Sequence, residues 1–288
     1  MKLSKTDLPV LLPAAERLAQ RAREERAWAV PKVRLQPVHG VVLLLGFLLA
    51  AGVAQAQAKP GQLSVLETIW KWTPLLLQGF GFNILISVIA MGVGTVLGGV
   101  VGIGHLSQRR WVRWLAEWYT HFFRNAPWLV LLFYCMFLLP FKFTIFGVTI
   151  PLPDWVKATL GLTLPVIANM SEIVRGAVLS IPTGQWESAA SFAFTRRQTL
   201  WMIILPQCFK RMLPPWMNLY SILTVGTVLV SVVGVSEVMT ITGDVLGSEH
   251  RADLLIPFYF YVLVWFFLYC YPIARWTVHL ERKYAVNV

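Results

Sequence analysis

The sequence predicts an all-α, polytopic membrane helix bundle of six spans. Three observations carry that prediction. Of its 288 residues 57% are hydrophobic and only 14% are charged, against roughly 25% charged in an average soluble domain. The apolar residues gather into runs of about 20, the length that crosses a hydrocarbon core. The 25 Lys and Arg outnumber the 14 Asp and Glu, for a net charge of +11. These cations sit in the short segments between apolar runs, where membrane orientation puts them. A nucleic-acid module would instead gather them on one folded face.

Taken in order, residues 1–36 form a basic, polar tail with a weak amphipathic stretch at 13–28. Two readings stand for it: a cytosolic segment lying on anionic lipid, or a loosely ordered extension. Val38–Ala54 is the first apolar run. Ala54-Gln55-Ala56 and Ala56-Gln57-Ala58 resemble small-residue cleavage sites, but whole signal peptides take only about 15–30 residues. The run is therefore read as an uncleaved span. Residues 37–79 hold that span and an external linker, and 80–283 hold the main transmembrane domain. Its spans are Phe80–Gly104, Trp118–Leu139, Trp155–Val178, Pro215–Val238 and Leu254–Trp276. Gly92, Gly94, Gly98, Gly99, Gly102 and Gly104 crowd the second span, and small residues three and four apart let helices meet backbone to backbone in lipid.

Charge sets the direction. Arg109, Arg110 and Arg113 fall in one loop, Arg196, Arg197, Lys210 and Arg211 in the next on that side, and Arg275, Arg282 and Lys283 at the end. The opposite side holds only Lys59, Lys71, Lys142, Lys157 and Arg251. Both termini and the 180–212 loop are therefore expected in the cytoplasm.

That loop interrupts the membrane pattern with Gly184-Gln185-Trp186-Glu187-Ser188-Ala189-Ala190 and runs on to Leu205-Pro206-Gln207. Small residues allow close approach, Glu187 supplies a register-fixing charge, and Pro206 is expected to punctuate the chain before the next span. No Gly-x-x-x-x-Gly-Lys-Ser/Thr stretch occurs, so the chain has no phosphate cradle of that kind. No His/Glu metal set, Ser/His pair or carboxylate pair falls in a span, which argues against a membrane-embedded enzyme. No repeated half suggests a secondary transporter. The 13 Trp read mostly as interfacial anchors and the five His are scattered. Cys135, Cys208 and Cys270 lack metal or disulfide spacing.

Phe123-Arg124-Asn125-Ala126-Pro127, Ser171-Glu172-Ile173-Val174-Arg175-Gly176, Ser180-Ile181-Pro182, Glu187-Ser188-Ala189-Ala190, Arg197-Gln198-Thr199 and Leu205-Pro206-Gln207 stand in one order. Over roughly 80–283 the chain resembles the permease subunits of ABC importers, in the polar amino acid branch. That resemblance implies a permease for polar amino acids, with an opine or osmolyte as the alternative cargo. It implies a cytosolic ABC ATPase dimer that carries ATP and Mg, a second permease subunit, an extracytoplasmic solute-binding protein and a bacterial inner-membrane setting. No cofactor or metal is expected on this chain. It implies ATPase docking through Glu187, Ser188, Ala189, Ala190, Ala193, Leu205 and Pro206.

Two positions depart from the family pattern. Ser188 replaces an Ala, and Ala193 replaces a Gly that commonly serves a turn with φ > 0. Ala193 thus either avoids the left-handed region or bears strain, and the irregular loop points to a second, different permease as partner. Glu172 and Arg175, three apart on one helical face, are read as an internal ion pair or as part of the solute path. Asn169 is a candidate solute contact or helix–helix hydrogen bond. Glu237 is placed at the outer end of the fifth span, read as an interface position or as facing the solute's entry.

Overall fold

The computed structural model describes residues 40–42, 45–49, 52, 63–145 and 148–284. The basic tail and eight of the 17 residues of the expected first span lie outside these residues. The chain divides into Met1–Gly46 and Phe47–Val288, and the architecture below is that of the second unit.

Helix α1 spans Val65–His105. It starts at a capping box: the Glu67 amide donates to Ser64 Oγ at 3.2 Å, and the Ser64 amide donates to Glu67 Oε2 at 2.8 Å. The two bonds satisfy donors that have no partner within the helix. Its 41 residues give about 60 Å of helix at 1.5 Å per residue. That is about twice the hydrocarbon thickness, so the helix begins well before the expected Phe80.

A strongly amphipathic α2, Arg110–Asn125, and a short apolar α3, Trp128–Leu138, replace the expected continuous span Trp118–Leu139. They meet at 105°. Pro127 is the cause. It has no amide to donate and pushes the residue before it out of the α region, and Ala126 sits at φ −75°, ψ 137°.

A two-stranded antiparallel hairpin follows, β1 Lys142–Ile145 and β2 Val148–Pro151, in register from Lys142 opposite Pro151 to Ile145 opposite Val148. The sequence reading did not anticipate it, although its β-branched and aromatic residues favour strands. Helix α4, Asp154–Leu179, then runs back through the bundle to the short α5, Thr183–Ser191.

The next helical rod runs unbroken from Arg196 to Val233. It comprises one turn at Arg196–Gln198, a π-helical turn at Thr199–Ile204, α6 at Leu205–Gly226 and a 3-10 segment at Thr227–Val233. Pro206 therefore does not punctuate the chain as expected. The wider π turn relieves the clash between a proline ring and the preceding turn. At the far end Gly234 takes φ 86°, and α7, Val238–Glu249, and α8, Leu255–Tyr284, complete the bundle. The fifth expected span thus ends at Val233.

Among the described residues, four helices are long and apolar enough to cross a membrane, and five segments are if the bent α2–α3 pair counts as one. The first expected span, Val38–Ala54, is described only in part, at 40–42, 45–49 and 52, where it is helical. The centre of the bundle is a buried cluster that includes Ile86, Met91, Leu132, Leu162, Val166, Leu219 and Leu223. Helices α1 and α4 approach most closely along Gly94, Gly98 and Gly102. A Cβ at Gly98 would lie 2.6 Å from Met170 Cβ and 2.7 Å from the Ile167 carbonyl oxygen, and one at Gly102 would lie 2.6 Å from Val174 Cβ. Gly92 and Gly99 have nothing within 4 Å. The glycine-rich span thus makes its tight contact along a single stripe.

Candidate functional site

Helix α4 ends where Ser180 donates its amide to the Gly176 carbonyl at 3.0 Å. Arg211, on α6, grips this end: its Nη1 donates to the Ser180 carbonyl and to Ser180 Oγ at 2.9 Å. A cation at the carbonyl end of a helix also complements the helix dipole. Pro182 then opens α5.

Helix α5 has an anchored side and an open side. Ala189 is buried, and Trp186 packs with Ile181 against Ala177, Val178, Ile204 and Cys208. Glu187, Ser188 and Ala190 are exposed, and Phe192 just beyond them is 79% exposed. An exposed aromatic ring is of the residue type enriched at protein interfaces.

The helix ends in a Schellman motif: the Phe194 amide donates to the Ala189 carbonyl at 3.1 Å and the Ala193 amide to the Ala190 carbonyl at 2.9 Å. That motif needs a left-handed residue, usually glycine. Here it is Ala193, at φ 58°, so this residue takes the strained of its two expected alternatives. Thr195 and Gln198 then cap the rod reciprocally at 2.9 and 3.4 Å. Leu205 is half-buried and packs against the same cluster as Trp186, and Pro206 is exposed on the rod.

The charged residues of α4 form a second group. Arg175 Nε donates to Glu172 Oε2 at 2.9 Å, and Arg124 from α2 stands 3.8 Å from Glu172 Oε1. Beneath them a buried hydroxyl chain ties three helices: His105 Nε2 lies 2.9 Å from Thr120 Oγ1, which lies 2.7 Å from Ser171 Oγ. Asn169 donates to the Pro165 carbonyl of its own helix at 2.8 Å, not across to a neighbour. Among the described residues no cluster of His, Cys, Asp or Glu could hold a metal ion.

Residues 94–285 match the family model described as binding-protein-dependent transport system inner membrane component. The chain belongs to that family. It is 32% identical over 212 residues to a probable amino-acid ABC transporter permease protein, YckA, of Bacillus subtilis (strain 168), covering 74% of this chain and 90% of the relative. It is 30% identical over 190 residues to the glutamine transport system permease protein GlnP of Escherichia coli (strain K12), covering 65% and 83%. Among solved structures, one titled as an amino acid ABC transporter with histidines superposes with a TM-score of 0.67 at 22% identity, over 77% of this chain and 99% of that one. The inward-facing MetNI methionine ABC transporter superposes at 0.56, with 18% identity and coverage of 75% and 99%.

The chain is a multi-pass membrane permease subunit and not an enzyme; in this family the ATPase activity lies in partner subunits. Of its sequence-predicted site residues, Glu187, Ser188, Ala189, Ala190 and Ala193 share α5 and its terminal turn, and Glu172 and Arg175 share one ion pair. The permease also holds polar residues that sequence reasoning passed over or misplaced. In the sequence Arg211 reads only as a loop charge. Glu237, expected at an interface, is fully buried, as are Asn83 and Thr227 beside it. The available signal was an acid placed just after Gly234, where a capping side chain starts a new helix.

Proposed function

We propose that this permease imports polar amino acids and that α5 receives the motion of a partner ATPase. The observation that carries the docking assignment is the two-sided α5. Its inner side is fastened to α4 and α6, while Glu187, Ser188, Ala190 and Phe192 stand open. The amino acid cargo rests on relatives named for glutamine and L-cystine transport; an opine or osmolyte is the alternative.

In this reading the α5 end of the bundle faces the cytoplasm, as do both chain termini. Arg196, Arg197, Lys210 and Arg211 lie near α5 and support that orientation. A dimer of ABC ATPases supplies ATP and Mg chemistry, a second permease completes the path, and a solute-binding protein delivers cargo outside. ATP must favour one conformation of the assembly over another for the cycle to turn. The chain's own contribution is mechanical. Trp186 packs α5 against α4 and the rod, and Arg211 ties the rod to the end of α4 just before α5, so a push on α5 moves α4 and the Arg196–Val233 rod together. The Glu172–Arg175 pair, with Arg124 alongside, holds α2 and α4 in register as they move.

Glu187→Lys is expected to abolish co-purification of the ATPase while membrane insertion stays normal. A variant that still assembles and hydrolyses ATP as the parent does would remove the docking assignment.

A further inference from the structure

The rod that begins beside α5 ends on a buried polar joint. Thr227, Asn83 and Glu237 are each fully buried. Thr227 Oγ1 donates to the Thr224 carbonyl at 2.7 Å and accepts from Asn83 Nδ2 at 3.0 Å. Asn83 Nδ2 also donates to Glu237 Oε2 at 2.8 Å, and Asn83 Oδ1 accepts the Val238 amide at 3.2 Å. Glu237 Oε1 accepts the Met239 and Thr240 amides at 2.9 and 3.1 Å, capping α7. One asparagine on α1 therefore touches the last segment of the rod and the first turn of α7.

Helix α7 lies close along α1. A Cβ at Gly79 would stand 2.9 Å from the Val238 backbone, and at the other end of α7 Glu249 accepts from Lys71 at 2.8 Å and Trp72 at 2.7 Å. Carboxylates thus fasten α7 to α1 at both ends. Gly234, at φ 86°, makes the turn between rod and α7. A buried carboxylate in a membrane protein is expensive unless fully bonded. Bonded as here, such a network rigidifies the elements it joins.

We propose that Asn83, Thr227 and Glu237 form the joint through which displacement of α5 reaches α1 and α7, so that Glu237 is a positioning residue for the transport cycle. This rests on the docking role of α5. The rod supplies a continuous helical path from α5 to the joint, and the α1–α7 body is the load at its end.

The test uses the assembled transporter with its ATPase in proteoliposomes. Cys135, Cys208 and Cys270 are replaced, and one cysteine is introduced at exposed Asp244 on α7 or at Ser188 on α5. Maleimide labelling rates are compared before and after trapping with ATP, Mg and vanadate. In the parent, trapping should change the Asp244→Cys rate by about fivefold or more, the range of typical coupling between sites. Glu237→Gln sets its amide against that of Asn83, and Thr227→Val removes the contact between rod and Asn83. Both should erase the Asp244 response while the Ser188→Cys response persists. In the double variant Asn83→Asp/Glu237→Gln the Gln amide donates to the Asp carboxylate, and the Thr227 hydroxyl turns from the Thr224 carbonyl to donate to it too, which should restore the response.

If Glu237→Gln fails to assemble, Thr227→Val, nearly the same shape, carries the test. Asp244 responses that persist in these variants, even at lowered thermal stability, would overturn the joint. So would a parent in which Ser188 responds and Asp244 does not. A Ser188 site that ignores trapping in the parent would sink the docking role, and the joint with it.

Discussion

Trp72 on α1 donates its indole N–H to Glu249 at the end of α7, at 2.7 Å. Lys71 adds a second bond to the same oxygen at 2.8 Å. First the Lys71 bond and then the Trp72 bond hold the Glu249 carboxyl below the usual carboxylate range. A carboxylate lowered by folding stabilises the fold above its unfolded value, near 4.3, and loses that contribution as pH falls through the folded value. The melting temperature of the parent is therefore expected to fall more steeply than that of Glu249→Gln as pH drops below about 4.3. Parallel curves for the two proteins between pH 7 and 3 would show that this contact contributes nothing.

Ala193→Gly should stabilise the permease. The alanine sits at φ 58° in the Schellman turn, a conformation costing a side-chain-bearing residue about 1 kcal/mol. Glycine removes that strain, so the thermal midpoint in detergent should rise by a few degrees. A midpoint equal to or below that of the parent would mean the loop relaxes around the alanine.

Gly98 and Gly99 are neighbours with opposite expected sensitivities. A Cβ at Gly98 meets Met170 and the Ile167 carbonyl oxygen of α4, whereas Gly99 has nothing within 4 Å. Gly98→Leu must push α1 and α4 apart and is expected to cost about 3 kcal/mol or more, the upper part of the overpacking range. Gly99→Leu should lie within about 0.5 kcal/mol of the parent. The two midpoints, measured side by side, decide it; equal losses would mean that α1 meets α4 along a different stripe.

The membrane class, the family and most helices were legible in the chain because each has a local signature. Apolar runs of spanning length, glycine spacing in α1 and the ordered motif fragments all report on nearby residues. The break inside the expected span Trp118–Leu139 was not legible, because α2 and α3 together have the right length and a Pro such as Pro127 can kink a helix as well as end it. The hairpin was missed for a related reason: β1 and β2 are four residues each, too short to stand out among apolar runs.

By itself the sequence determined which segments are apolar, which loops are basic and where α5 interrupts the bundle, since composition and period act within a single element. Only the tertiary structure decided that Asn83 meets Glu237 across 154 positions of chain, that Arg211 grips Ser180, and that Ala193 accepts a left-handed turn. Those outcomes depend on which buried polar groups find partners and on how closely two helices can approach. Packing sets both, and no single stretch of sequence contains it.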